Sequence, residues 1–430
     1  MGNLQQRKLP FHYGWVVVGT GMLCIMACLG FGRFALGMLL PSMASTLHLT
    51  YSQMGFISTM NFLGYLVAVL LSGFLAARIG PRRLIFFALL AVGVSMALIS
   101  RAKGFLPVLS LYALTGMGSG ATNVPVMGLV SSWFASNKRG RAAGFIVIGS
   151  GFAIIISGKL IPFVNRIVGP EGWRMNWLII SGAVLAIAFA GYALLRDRPE
   201  EKGLRPLGAG EGERQDAGNR PHEKEQVNIY KEGVMYYLGA IYFFFGYTYV
   251  IYATFIVTTL VKERGFSEGV AGNFWAWVGF LSLFSGPVFG TLSDRLGRKA
   301  GLIIVFLFQA LSYLLAASGL PGIFLYLSIF FYGIVAWSIP SIMAAAVGDY
   351  VGARRAAAAF GLVTFIFGFG QITGPAVAGM LAEKTGSFRS SFWMAAAFAG
   401  LAILLTAFLR KPRVRPVAEY LRGEHPSNPS

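Results

Sequence analysis

Long apolar stretches alternate with short polar breaks along the whole chain. The apolar runs lie near 14–40, 52–77, 83–100, 105–134, 141–167, 174–195, 234–261, 269–292, 300–318, 322–347, 356–381 and 390–410. About 20 apolar residues carry an α-helix across a bilayer. The runs are continuous rather than alternating at every second position, which predicts helices and excludes the strands of a membrane barrel. Two of them, 105–134 and 141–167, are long enough to cross at a tilt. The pattern therefore predicts an all-α membrane protein with twelve transmembrane helices. Between the sixth and seventh runs lies "RDRPEEKGLRPLGAGEGERQDAGNRPHEKEQVNIYK", charged and rich in Gly and Pro, which reads as a flexible linker. It divides the chain into a six-helix bundle over 1–195, the linker 196–231, a second six-helix bundle over 232–411 and a tail over 412–430.

The two halves repeat. "GFLAARIGPRR" begins at Gly73 and "GTLSDRLGRKA" at Gly290, a separation of 217 residues. The same separation carries Gly55 to Gly272, Leu75 to Leu292, Arg78 to Arg295, Gly80 to Gly297, Arg82 to Lys299, Gly116 to Gly333, Trp133 to Tyr350 and Gly144 to Gly361. With an even number of spans in each half, the repeats are parallel and related by an axis along the membrane normal. A substrate site then lies near the midplane, between the halves.

Composition agrees: 56% of residues are hydrophobic and 12% charged, against roughly 25% charged in a soluble protein. The net charge of +19 would fit a nucleic-acid partner if it were spread over one soluble surface. It is instead gathered on one side of the membrane. Arg7 and Lys8, Arg78, Arg82 and Arg83, Lys138, Arg139 and Arg141, the linker, Arg295, Arg298 and Lys299, Arg354 and Arg355, and the tail from Arg410 all become cytoplasmic if the N-terminus is. That is the positive-inside bias, with both termini cytoplasmic, and it speaks against nucleic acid. No small-residue cleavage site follows the first run, so it reads as an uncleaved span and suits a bacterial inner membrane. Cys24 and Cys28, one helical turn apart on that span, are expected as small packing residues.

"GTLSDRLGRK" resembles the Gly-x-x-x-Asp-Arg-x-Gly-Arg-Arg/Lys signature of the major facilitator superfamily, found after the second and eighth helices. Length, the six-plus-six layout and the central linker fit the same family. The resemblance implies alternating access and a cytoplasmic latch, built from Arg78 and Gly80 in the first copy and Gly290, Asp294, Arg295, Gly297 and Arg298 in the second. Ala77 stands where the first copy would carry the Asp, which makes Asp294 the stronger latch residue. "GMGSGATNVPVMGLVSSWFASNKRGRAAGFIVIGSG" (116–151) is similar to the corresponding stretch of monocarboxylate transporters and oxalate/formate antiporters.

Two cations interrupt the apolar runs: Arg33 in "GFGRFALGMLLP", and Lys159. A cation at bilayer depth costs about 2.5–3.5 kcal/mol on insertion scales. Arg33 lies eighteen residues beyond Trp15, about where the monocarboxylate family has a lysine, and the resemblance implies the same part in substrate anion or proton handling. Gly30, Arg33 and Gly37 share a helix face, and a planar five-donor guanidinium suits a carboxylate held by two hydrogen bonds. Outward snorkelling is the alternative for both Arg33 and Lys159. Every Asp, Glu and His lies outside the apolar runs or at their ends, so a membrane carboxylate for a cationic drug is missing and an anionic substrate is expected. Tyr249 and Tyr252 with Tyr242 along the seventh run, Asn123 in the fourth and Gln371 in the eleventh are candidates to complete the site. Asn273, Trp277 and Trp337 are further polar or aromatic residues of the second half. Helices 8 and 11 lack the cations that the named families commonly carry, which disfavours a doubly charged oxalate-type substrate.

The expectation is a secondary transporter of small organic anions, monocarboxylate or sulfonate in type, coupled to protons or exchanging anions. An extruder of amphipathic drugs on the same fold is one alternative, and an anion-binding membrane sensor another. No metal cluster, nucleophile–base pair or phosphate loop points to an enzyme, and no cofactor is expected.

Overall fold

A computed structural model describes residues 11–208 and 232–409. Arg7, Lys8, the linker beyond 208 and the tail from Arg410 lie outside the described residues. The chain is helical almost throughout. Helix α1 (Gly14–Ile25), a π-helical segment (Met26–Phe34) and α2 (Ala35–Thr46) run on as one span. There follow α3 (Tyr51–Ile79), α4 (Pro81–Ile99), α5 (Phe105–Trp133), α6 (Ser136–Val168) and α7 (Gly172–Leu194). The second half holds α8 (Gly233–Thr258, extended by a π turn, Thr259–Glu263), α9 (Glu268–Leu296), α10 (Arg298–Ala317), α11 (Ile323–Val335) with α12 (Ser338–Val351) in one span, α13 (Ala353–Thr385) and α14 (Arg389–Phe408). Of these twelve rods, eleven are long and apolar enough to cross a membrane. The other, α5, has the length, but its middle, "GMGSGATN", dilutes its hydropathy. Those small residues let α3 and α4 close in on it: a Cβ at Gly116 would meet the Asn61 carbonyl, and one at Gly118 that of Ala88.

The repeat is visible in how the helices begin and end. Thr50 caps α3, its hydroxyl accepting from the Gln53 amide at 3.3 Å while the Gln53 side chain accepts from the Thr50 amide at 3.1 Å. Its counterpart 217 residues on, Ser267, caps α9 with its hydroxyl alone, accepting from the Val270 amide at 3.3 Å. Both helices end on a glycine with positive φ, Gly80 at 86° and Gly297 at 90°, a conformation that suits glycine and lets the next helix start at once.

The Gly80 and Gly297 turns mark one face of the molecule, here called the terminal face because segment 196–208 lies on it. That segment is docked, contrary to the flexible linker expected there. The Leu207 amide donates to the Trp133 carbonyl at 2.8 Å and the Ala135 amide to the Leu207 carbonyl at 3.1 Å. The Trp133 indole donates to the Arg196 carbonyl at 2.9 Å. Apolar and backbone partners on the end of α5 thus hold the first part of a charged sequence in place.

Helices α1–α7 meet α8–α14 along three pairs: α3 with α13, α6 with α9, and α2 with α8. The first two pairs are related by the repeat. A Cβ at Gly55 would lie 2.3 Å from the Pro375 carbonyl, and one at Gly272 would lie 2.2 Å from that of Gly158. These contacts belong to the middle of the helices and to the portions remote from the terminal face. They include the Ser52 amide donating to the Glu383 carboxylate at 3.3 Å, Asn165 Nδ2 donating to the Glu268 carboxylate at 2.7 Å, and Tyr51 edge-on to Phe388. Toward the terminal face the same four helices part, and Gly73, Gly140, Gly144, Gly286 and Gly361 border open space. The halves are closed at the opposite face and separated at the terminal one.

Candidate functional site

The π-helical segment sets the site. A π-helix is wider than an α-helix and leaves its carbonyls poorly matched, so in a membrane interior other groups must satisfy them. Asn61 Nδ2 from α3 donates to the Gly32 carbonyl at 3.2 Å, and Ser119 Oγ from α5 donates to that of Cys28 at 2.7 Å. The Tyr112 hydroxyl, also from α5, donates to the Arg33 carbonyl at 3.0 Å. Gly30 brings the segment so near α6 that a Cβ there would lie 2.2 Å from that of Ala153. Three helices therefore grip the backbone on either side of Arg33.

The Arg33 side chain points between the halves and does not snorkel. Its guanidinium carbon lies 4.4 Å from the ring centre of Phe62 and 4.3 Å from that of Tyr65, both on α3. Each such contact contributes about 0.5–2 kcal/mol. Nε and Nη2, the adjacent donors on one edge of the guanidinium, are buried without a hydrogen-bond partner. A buried charged donor left unpaired is costly, and two parallel N–H groups are the fork that fits a carboxylate. Asn123 does not touch Arg33 but donates to the Tyr65 hydroxyl at 2.7 Å, which holds that ring under the guanidinium.

The second half supplies the facing wall. Arg33 borders a cavity of about 10 Å³ with Phe34, Gly37, Ser58, Tyr249 and Ala253, room for about one water. Tyr249 on α8 accepts a 2.5 Å hydrogen bond from Gln371 Nε2 on α13 and stacks on Phe245 at 4.8 Å. Trp337 occupies the break between α11 and α12. It lies 5.0 Å from Phe34 and 5.9 Å from Tyr249 between ring centres, and its indole N–H is buried and unpartnered. The break is held by Ser285, which accepts from the Trp337 amide at 3.2 Å.

Arg33, Asn123, Tyr249 and Gln371 are thus brought to one region, Asn123 through Tyr65 and Gln371 through Tyr249, and Tyr252 and Lys159 are not. Tyr252 turns into the interior of the second half, bonded to Ser328 at 2.8 Å and stacked on Tyr332 at 4.2 Å. Lys159 Nζ donates to Asn273 Oδ1 at 2.5 Å across α6 and α9, in the closed part of the interface. The third phenol expected on the seventh span, Tyr242, stacks on Phe367 at 4.2 Å. Phe62 and Tyr65 were missed from sequence, because rings on an apolar helix look like packing until the cation above them is placed. Among the described residues no group of three or more His, Cys, Asp or Glu could hold a metal.

On the terminal face, Arg298 pairs with Asp294, and its Nε donates to Asp349 at 2.9 Å and its Nη1 to Ser293 at 3.0 Å. These groups tie α9, α10 and α12 within the second half. Arg295 is exposed, and Gly290 has no neighbour from the first half. In the first copy Arg78 is exposed and lies over Phe74 at 4.2 Å. The carboxylate that Ala77 cannot supply comes from Asp197, after α7: it accepts from the Arg82 amide at 2.7 Å and lies where a Cβ on Gly80 would meet it at 2.7 Å.

A family model described as "Uncharacterised MFS-type transporter YbfB" matches residues 25–407. The chain is 25% identical to a hexuronate transporter of Bacillus subtilis, covering 92% of this chain and 94% of that one. It is 24% identical to a probable sulfoacetate transporter of Cupriavidus necator (90% and 92% covered) and 24% identical to human monocarboxylate transporter 2 (88% and 81%). Among solved structures, a D-xylose–proton symporter superposes with a TM-score of 0.74 at 17% identity, covering 93% of this chain and 99% of that one. A bacterial homologue of the lysosomal transporter Spinster gives a TM-score of 0.73 at 14% identity (92% and 96%). The structural likenesses establish the fold.

Proposed function

Since the chain belongs to the MFS-type transporter family described by YbfB, and is a membrane transporter of small organic substrates, we propose that its substrate is a small organic anion held by Arg33. The observation that carries this reading is the Nε–Nη2 edge of Arg33, buried between the halves with no partner. A carboxylate or sulfonate oxygen pair would satisfy both donors once the halves part enough to widen the one-water cavity, with Tyr65, Tyr249 and Trp337 bordering the rest of the molecule. The relatives' names support the anionic class: hexuronate, sulfoacetate and monocarboxylate are all negatively charged at neutral pH. The bundles 1–195 and 232–411, joined by 196–231, rock as bodies about this point, with the tail 412–430 and both termini in the cytoplasm by the positive-inside bias. The Asp294–Arg298–Asp349 cluster, with Arg295, Gly290 and Gly297, would latch onto the first half when the terminal face closes. Arg78 and Gly80 would form the matching turn. Lys159 holds the opposite face shut through Asn273, and Tyr252 supports Tyr249 through the core of the second half.

Ligand-dependent thermal stabilisation tests the anchor. A ligand that binds only the folded state raises apparent stability by mass action. Lactate, glucuronate, sulfoacetate and a cationic dye are compared on wild type and Arg33→Ala. A small anion should stabilise the wild type, and the folded alanine variant should lose the response. The aromatic border of the site favours one rival, extrusion of amphipathic compounds. Equal stabilisation of both proteins by the dye, with none by an anion, would establish that reading instead.

A further inference from the structure

We infer that the carrier exchanges one organic anion for another and does not couple transport to protons, an inference that rests on Arg33 being the anion anchor. Proton coupling needs a group near the substrate that gains and loses a proton as the carrier turns over. The groups facing Arg33 are the rings of Phe62 and Tyr65 on α3, Tyr112 on α5, Tyr249 on α8 and Cys28 on its own span. None of these groups is a carboxylate or an imidazole, and a guanidinium keeps its charge. The helices packed around the π segment carry Arg82 and Arg83 on α4, Lys138, Arg139, Arg141, Lys159 and Arg166 on α6, and Arg174 on α7. All are cations, all except Lys159 lie toward helix ends, and Lys159 is bonded to Asn273. Among the described residues, Asp, Glu and His occur in turns and near helix ends and not at the depth of Arg33.

A permanent positive charge with no titratable partner dictates how the empty carrier behaves. Loaded, the site holds a guanidinium–carboxylate pair and is locally neutral. Empty, it must pass through the closed interface with its charge uncompensated and with no acceptor from the protein for the buried Nε and Nη2. The rings of Phe62 and Tyr65 replace only part of the lost solvation. The loaded carrier therefore reorients readily and the empty one slowly, so an outgoing anion must be replaced by an incoming one.

The test uses the full chain in liposomes, with whichever of lactate, glucuronate or sulfoacetate stabilises the purified protein. Vesicles are preloaded either with that anion unlabelled or with chloride buffer alone, and labelled anion is added outside with and without an acid-outside pH gradient. Exchange into preloaded vesicles should exceed net uptake into the others by about 100-fold, and the gradient should leave net uptake unchanged. Gradient-driven accumulation in the chloride vesicles, at a rate near that of exchange, would overturn the inference while leaving the anion anchor intact. Failure of all three anions to stabilise the protein would remove the anchor itself. An anion that stabilises but moves in neither assay would overturn exchange and make the protein a binder.

Discussion

At the residue scale the fork on Arg33 is the feature with consequences. Lysine in its place would keep the charge but present a single ammonium on a flexible stem. Losing one of two charge-assisted hydrogen bonds costs about 1.5–3 kcal/mol, which is roughly a 10- to 100-fold weaker anion affinity. Arg33→Lys should therefore still respond to the anion in a thermal-shift titration, with its midpoint moved up by that factor. An unchanged midpoint would mean that the two-donor edge is not used. Arg33 was legible in the sequence because a charge in an apolar run has few explanations. Tyr252 was misplaced because three residues turn a helix by about 300°, which swings it away from the face that Tyr249 shares with Tyr242. Asp197 was illegible for another reason: it reaches Arg82 from 115 residues away in the chain, and only the packing of α7 against α4 brings the two together.

Elements show the same division. The twelve rods follow from apolar length, and the repeat that relates α3 to α9 follows from matched residues such as Gly55 and Gly272. The π segment does not, because its widening depends on Asn61, Ser119 and Tyr112 arriving from other helices. Gly272 makes a testable difference between states. Its contact with the Gly158 carbonyl exists only while the opposite face is closed. Overpacking at such a contact costs about 1–3 kcal/mol, and in Gly272→Val that cost falls on the closed state alone. The protein should stay folded and shift about tenfold toward the state open at the opposite face. The reporter is Ser58→Cys, buried here against Thr254 of the second half and reachable from that side only after opening. Faster labelling by an impermeant thiol reagent is expected, against a background of buried Cys24 and Cys28. Labelling at the wild-type rate would show that this glycine does not limit opening.

For the whole molecule, the register between α6 and α9 predicts the other end of the cycle. Gly158 meets Gly272, and Gly151 meets Gly279, each pair seven residues from the next along antiparallel helices. A seven-residue repeat keeps two helices in register along one seam, and small residues let them touch. One step further along the seam stand Gly144 and Gly286, and in this state both border open space. If the halves rock about the level of Arg33, the seam unzips from the Gly158–Gly272 end and closes at Gly144–Gly286. A disulfide forms only when the Cα atoms come within about 4.4–6.8 Å. Gly144→Cys paired with Gly286→Cys should therefore cross-link under oxidant during turnover and stop transport, with activity restored by reductant. If the protein transports under oxidant and the Gly144–Gly286 pair never forms, the halves do not close along this seam, and the terminal face must shut through other helices.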